Sequence, residues 1–396
     1  MFFVICQGCA QGDQPFTLVF SEAIRPGAHS TEAYIPLITN KNVGLIVNHT
    51  SLIGTTHLVD SLRSRGIRIT KIFAPEHGLR GSADAGEVIK DGKDQKTGIP
   101  VISIYGDKKK PSVGDLQGLD VLLFDIQDIG VRFYTYISSL HYVMESAAEN
   151  NIPLIVLDRP NPNGHYIDGP VLDTAGYRSF VGMHPIPVVY GMTIGELAKM
   201  INGEKWIDRA CELTVIPCQN YDHTKSYDLP VRPSPNIPNL RAALLYPGLC
   251  FFEGTPVSVG RGTSVPFQVI GHPDYPDKTF SFTPQSVEGA MHPPLEGKVC
   301  YGIDLSHTKV DSLFSSSQMN MSVLLDFYNK LPADKFFNAG WFDKLAGGPG
   351  YREAIQRGMA ESQIRASWKP GIEAFKIRRA PYLLYADSPT CVPAKQ

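Results

Sequence analysis

"DVLLFDIQD", residues 120–128, sets four consecutive apolar residues, Val121 to Phe124, in front of Asp125, Gln127 and Asp128. A strand with one wet face alternates apolar and polar residues; an unbroken apolar run is covered on both faces. Such strands belong to parallel sheets, whose connections lay helices over both sides. The polar residues then stand at the strand's carboxyl end, where open parallel sheets bind ligands.

Working outward, the pattern repeats. "VGLIVN" (43–48), "ITKIFAPE" (69–76), "VISIYG" (101–106), "PLIVLDRPN" (153–161) and "LTVIPC" (213–218) are apolar runs of strand length. Between them, "THLVDSLRSRG" (56–66), "TYISSLHYVMESAAENN" (135–151) and "TIGELAKMING" (193–203) carry helical spacing. The last opens on Thr193 with Glu196 three residues on, a capping box. Alternating strands and helices predict an α/β fold with a Rossmann-like, doubly wound, mainly parallel sheet over residues 27–225. The proline-dense "LPVRPSPNIPNL" (229–240) excludes regular structure. Residues 226–396 read as a smaller α+β domain, with a helix in "SVLLDFYNKL" (322–331) and a late strand in "FKIRRAPYLLY" (375–385).

A net charge of −2 with 19% charged residues gives no electrostatic case for nucleic acid or an anionic membrane. No apolar run reaches the roughly 18 residues of a membrane span. Residues 1–26 stand apart. "MFFVICQGCAQGDQ" is a short apolar stretch reaching Cys9, then polar sequence. It reads as the remnant of a lipoprotein export signal, implying a periplasmic or cell-surface protein anchored through Cys9, or as an unstructured start. The seven cysteines follow neither zinc spacing nor a disulfide framework.

The strand ends converge chemically. Asn48 and His49 follow the first, Glu76 and His77 the second, and Tyr105 and Gly106 the third. Asp125, Gln127 and Asp128 close the fourth and lead to Arg132, Tyr134 and Tyr136; Asp158, Arg159 and Asn161 close the fifth. Singly, each has an ordinary role: Glu76 as a loop cap, His77 as packing, the aspartates as partners of Arg132. Together they form a polar crown on one sheet edge. Pro75 fixes the exit of the second strand, and Gly78 and Gly81 allow a close backbone approach. A carboxyl beside an apolar strand end suits general-acid work. In "VSVGRGTSVPF" (257–267), Arg261 lies between two glycines, eight residues after Glu253, and suits an anionic group.

No dinucleotide G-x-G-x-x-G follows the first strand; no P-loop and no G-x-S-x-G elbow occur. His49, His77 and the aspartates have the right types for a metal but not the spacing, so no metal or cofactor is assigned. A cleft rich in carboxyls and aromatics suits a carbohydrate, whose hydrolysis uses paired carboxyls.

"NHTS", "FAPEHGLRG", "DIQDIGVRFYTYIS", "VLDRPNPNG", "SFVG", "PIPVVYGMTIGELA", "PSPNIPN", "EGT" and "SVGRGTSVPF" resemble, in order, the motifs of the NamZ-type exo-β-N-acetylmuramidases, over about residues 27–385. The resemblance implies release of terminal N-acetylmuramic acid from non-reducing ends of peptidoglycan fragments, a cleft between the two domains, and no nicotinamide or catalytic metal. It makes Glu76 the leading catalytic residue and Glu87, in "DAGE", a second. His49 stands where the family commonly has Gln, "LPVR" lacks a Trp, and "GHP" replaces smaller residues, departures that touch substrate detail.

Glu76 is thus expected as general acid, with Glu87 as second carboxyl, helped or replaced by Asp125 or Asp128. A nucleophile partner needs a separation of about 5–5.5 Å and a water-activating base about 6.5–9.5 Å; the sugar's 2-acetamido group is a third route. Arg80, Arg132, Arg159 and Arg261 are candidates for the lactyl carboxylate, Tyr134 and Tyr136 for stacking, and Asn48, Asn161 and Asn236 for hydroxyls. His49, His77, Gln127, Asp158 and Glu253 complete the expected binding set. A non-catalytic peptidoglycan-binding surface protein and a metal-dependent hydrolase are the rival readings.

Overall fold

β1 (Val43–Val47) pairs in parallel with β2 (Ile69–Ala74) on one side and β5 (Val121–Asp125) on the other, and this junction organises the molecule. The computed structural model describes residues 22–79, 87 and 90–393. Around that junction lie β3 (Gly92–Lys93), β4 (Pro100–Ser103), β6 (Leu154–Leu157) and β7 (Leu213–Ile216). The seven-stranded sheet runs β3-β4-β2-β1-β5-β6-β7, with only the edge strand β3 antiparallel. Setting that edge aside, the chain steps outward on one side of β1, returns, and steps outward on the other. This is the doubly wound, Rossmann-like order, with its switch point between β1 and β5.

The apolar runs explain the layers. Every residue of β1 and β5 is buried. Val43, Leu45 and Val47 point into a core shared with Tyr34 and Ile38 of α1 (Thr31–Ile38) and Leu58 and Leu62 of α2 (Leu58–Ser64). Ile46 and Phe124 point to the other face, into a core with Ile137, Leu140 and Met144 of α3 (Tyr136–Glu149) and Leu197 and Ile201 of α4 (Ile194–Gly203). The capping box of Thr193 and Glu196 opens α4 as the spacing predicts. Truncating a core ring such as Phe124 to Ala costs about 3–5 kcal/mol.

The second core does not stop at residue 226. It continues through α5 (Leu240–Leu249), α6 (Ser322–Lys330), α7 (Ala339–Ala346), α8 (Gly350–Gln356) and α9 (Glu361–Arg379). Beside them lies a small antiparallel sheet of β8 (Val269–His272), β9 (Ser281–Phe282) and β10 (Cys300–Asp304). The predicted late strand over 375–385 is instead the end of α9 and a 3-10 turn, Ala380–Tyr382. Phe375 and Arg379, four apart, are buried on one helical face.

The tail then returns to the first unit. Tyr385 donates its phenol to Asp158 at 2.6 Å and accepts the Cys218 amide at 2.8 Å, and buried Arg379 pairs with Asp387 at 2.6 Å while donating to the Gly191 carbonyl. No described helix is long and apolar enough to cross a membrane. The stretch expected to be an export signal, with Cys9, lies outside the described residues.

Candidate active site

Between the carboxyl ends of β2, β4 and β5 and the C-terminal region lies a cavity of about 990 Å³. One wall carries Glu76, His77, Glu87, Tyr105, Lys109, Tyr134, Thr135 and Phe180; the facing wall carries Asn236, Tyr246, Glu253, Arg261, His292 and Trp341.

Glu76 sits where β2 ends. Pro75 stops the strand, and His77 and Gly78 both take left-handed backbone, φ 67° and 74°, closing a turn in which the Gly78 amide donates to the Pro75 carbonyl at 2.9 Å. A left-handed histidine costs on the order of 1 kcal/mol, a strain of the kind found at functional sites. The turn delivers the Glu76 carboxyl to two hydroxyls. Tyr105 Oη donates to Oε1 at 2.8 Å, and Thr135 Oγ1 donates to Oε2 at 2.6 Å.

Thr135 is the N-cap residue of α3, yet its side chain makes no capping bond. A capping hydroxyl is worth about 0.5–2 kcal/mol to a helix, and here it is turned onto Glu76 instead. The carboxyl therefore lies at the positive end of a 14-residue helix. Both partners are hydroxyls, which can donate or accept, so they can hold Glu76 with or without its proton.

Across the cavity, Arg261 donates through Nε and Nη2 to Oε1 of Glu253 at 2.8 and 2.6 Å, its guanidinium over the Phe267 ring at 5.1 Å. Burial opposes the charge on Arg261, and the Glu253 carboxylate overcomes it, raising its pKa. Asn236 donates to the Gly289 carbonyl at 2.7 Å, joining the proline-dense loop to residues 289–294. Gly289 has φ 84°, and a Cβ there would meet Pro235 Cβ at 2.4 Å, so the joint requires glycine. Tyr134, edge-on to Tyr136 and Tyr246, ties the same loop down by donating to the Pro233 carbonyl at 2.8 Å.

Glu76, Glu87, His77, Tyr134, Asn236, Glu253 and Arg261 thus line one cavity. Arg80 lies outside the described residues. The remaining expected residues are placed in the scaffold. Asp125 is wholly buried, its oxygens bound by Arg159 Nε at 2.6 Å and Nη2 at 2.9 Å, which occupies both groups away from substrate. Asp128 accepts from the Gly130 amide at 2.7 Å and from Tyr190, and burial pushes its pKa up to about 6. Asp158, also raised by burial to about 6, accepts from Tyr385, Thr193 and the Gly195 amide. Neither aspartate reaches the cavity lining.

Arg132 is fully buried and donates to the carbonyls of Pro170, Ile186 and Leu345; desolvation brings its pKa down to about 9. Asn161 bridges the Met192 carbonyl and the Asn163 amide, and packs where a Cβ on Gly130 would clash at 2.1 Å. Asn48 folds back on Thr50, Gln127 holds the carbonyls of Asp128 and Pro160, and His49 contacts the Arg232 carbonyl at 2.8 Å with its pKa lowered by burial to about 4. Tyr136 is buried behind Tyr134. These residues hold the strand-end loops in place; of the crown, Glu76, His77, Tyr105, Gly106 and Tyr134 line the cavity.

Thr135, Lys109, Phe180 and Trp341 also line the cavity and are not among the expected site residues; Thr135 and Phe180 lie within the motifs "DIQDIGVRFYTYIS" and "SFVG", whereas nothing local marks Lys109 or Trp341. Among the described residues no group of three or more His, Cys, Asp or Glu side chains is arranged to hold a metal.

The model for the N-terminal region of exo-β-N-acetylmuramidase NamZ matches residues 43–241, and that for its C-terminal region matches 244–385. Peptidoglycan β-N-acetylmuramidase NamZ of Bacillus subtilis (strain 168) is 40% identical over 379 residues, 89% of each chain. Two crystal structures of DUF1343 family proteins from Bacteroides fragilis superpose closely. One is 46% identical with a TM-score of 0.86, covering 92% of this chain and 100% of its own. The other is 28% identical with a TM-score of 0.80, covering 92% and 99%.

Proposed function

The chain belongs to the NamZ exo-β-N-acetylmuramidase family, and on that premise we propose that Glu76 is the proton donor of its reaction. It is an exo-acting glycoside hydrolase that releases terminal β-linked N-acetylmuramic acid from non-reducing ends of peptidoglycan fragments. The observation that carries the assignment of Glu76 is its seat: a cavity-lining carboxyl gripped on both oxygens by Tyr105 and Thr135 at the head of α3.

In the forward step Glu76 passes its proton to the glycosidic oxygen as the bond to the sugar breaks. Tyr105 and Thr135 turn their hydroxyl hydrogens toward the carboxylate so formed. Glu87 lines the same cavity, whereas Asp125 and Asp128 do not, which favours Glu87 as the second carboxyl. Tyr134 and Trp341 offer aromatic surface to the sugar, and Asn236 and the Arg261–Glu253 pair offer polar contacts. Peptidoglycan lies outside the cytoplasmic membrane, so we also propose export, with lipid attachment at Cys9; fractionation and mass spectrometry of the mature N-terminus test it.

The direct assay uses a chromogenic β-N-acetylmuramide with the β-N-acetylglucosaminide as control. Turnover of the first with little of the second is expected; binding of muropeptides without product release would favour the rival sugar-binding reading. Glu87→Gln, read with NMR of the first-formed anomer, tests the second carboxyl: near-normal turnover removes it from the role.

A further inference from the structure

Resting on that reading of the substrate, we propose that Lys109, held over the face of Phe180, is the residue that recognises the free lactyl carboxylate of the terminal N-acetylmuramic acid. Three lysines run consecutively at 108–110. The outer two are committed to acids: Lys108 to Asp91 and Asp115 at 3.4 and 3.5 Å, Lys110 to Glu145 and Glu149 at 3.0 and 2.7 Å. The middle one turns to the cavity. Among the described residues two lysines or arginines line that cavity. Arg261 is neutralised by Glu253. Lys109 has an aromatic ring as its partner, with Nζ 5.3 Å from the Phe180 centroid.

Its position is set by the cavity wall. Phe180 lies 5.8 Å from the Tyr105 ring and stacks on Tyr142 at 6.4 Å, and its carbonyl accepts from Ser138 of α3 at 2.7 Å. Tyr105 in turn holds Glu76. A chain of contacts therefore links the ammonium to the proton donor through rigid rings. A ring face attracts the cation without discharging it, leaving its hydrogen-bond donors for an anion. N-acetylglucosamine lacks the lactyl group and gives such a cation nothing to bind. A stem peptide joined through the lactyl group converts its carboxylate to a neutral amide.

The test compares kcat/KM on an aryl β-N-acetylmuramide and on its lactyl carboxamide, in wild type, Lys109→Met and Lys109→Arg. Methionine keeps an unbranched chain over Phe180 and deletes the charge. The acid-to-amide ratio is expected to fall about 10- to 100-fold in Lys109→Met, the loss of one charge-assisted hydrogen bond, and to return largely in Lys109→Arg. An unchanged ratio overturns the proposal. A muramyl-dipeptide glycoside carries its carboxylates only on the peptide; a Lys109→Met loss confined to that substrate assigns the lysine to a stem carboxylate and overturns the lactyl assignment. Should the wild type turn over no glycoside, the hydrolase reading fails by itself. Calorimetric binding of N-acetylmuramic acid and its lactyl amide still judges Lys109, with equal loss of affinity for both in Lys109→Met contradicting it.

Discussion

Thr135 donates its hydroxyl to Oε2 of Glu76 at 2.6 Å instead of capping the helix that it begins. Together with Tyr105 on the other oxygen, this leaves the carboxyl one orientation, toward the cavity. Tyr105→Phe and Thr135→Val are each expected to lower kcat about 3- to 10-fold, the worth of one hydrogen bond, with smaller changes in KM. Steady-state kinetics across pH are the check. Because the partner hydroxyls act through Glu76, each variant should also move the acid–base limbs of the profile, which a packing defect would leave in place.

The Asp125–Arg159 pair lies buried beneath the strand ends. Removing one partner strands the other's charge, so Asp125→Asn is expected to cost about 3–5 kcal/mol of stability. Chemical denaturation measures this. Turnover per folded molecule should fall far less than in a Glu76 variant, which separates a scaffold aspartate from a catalytic one.

Arg261 and Glu253 are expected to behave as a unit. Arg261→Met alone leaves the Glu253 carboxylate without its cation, whereas Arg261→Met with Glu253→Gln removes both charges. The double variant should therefore have the higher Tm of the two. A double variant less stable than Arg261→Met by the full effect of a second, independent lesion would show that the two side chains are not coupled.

Acid should destabilise the fold. Burial lowers His49, His141 and His165 to about 4 from the 6.5 of an unfolded histidine, and holds His184 well below that value too. Between those values the unfolded chain binds more protons, so stability falls as pH drops from 6.5 toward 4. Asp128 and Asp158 oppose this: raised by burial to about 6 from 3.8, they bind more protons when folded, and their contribution is lost as pH rises through about 6. The histidines outnumber them, so Tm should drop on acidification across this window. His184 contacts His141 at 3.0 Å, and His184→Gln should flatten that drop.

The sheet could be read from sequence because strands buried on both faces are unbroken apolar runs, as at Val121–Phe124. The late strand failed because Phe375 and Arg379 bury at helical spacing in a segment whose polar residues resemble alternation. The strand-end residues gather at one sheet edge, yet only some of them line the cavity. Asp125 and Arg159, 34 residues apart, look as available as Glu76 until the fold pairs them. Lys109 was invisible for the converse reason: nothing local tells the middle lysine of three from its neighbours. The hydroxyl of Thr135 reads as an ordinary cap until β2 brings Glu76 beside it.

Proton donation by Glu76 is tested most directly by Glu76→Gln on two substrates that differ in leaving group. A natural β-N-acetylmuramyl-N-acetylglucosamine needs its leaving oxygen protonated; a dinitrophenyl β-N-acetylmuramide does not. The expected loss is about 100- to 10,000-fold on the disaccharide and far less for the cleavage step of the aryl glycoside. Equal losses on both, or near-normal turnover of the disaccharide, would contradict the assignment.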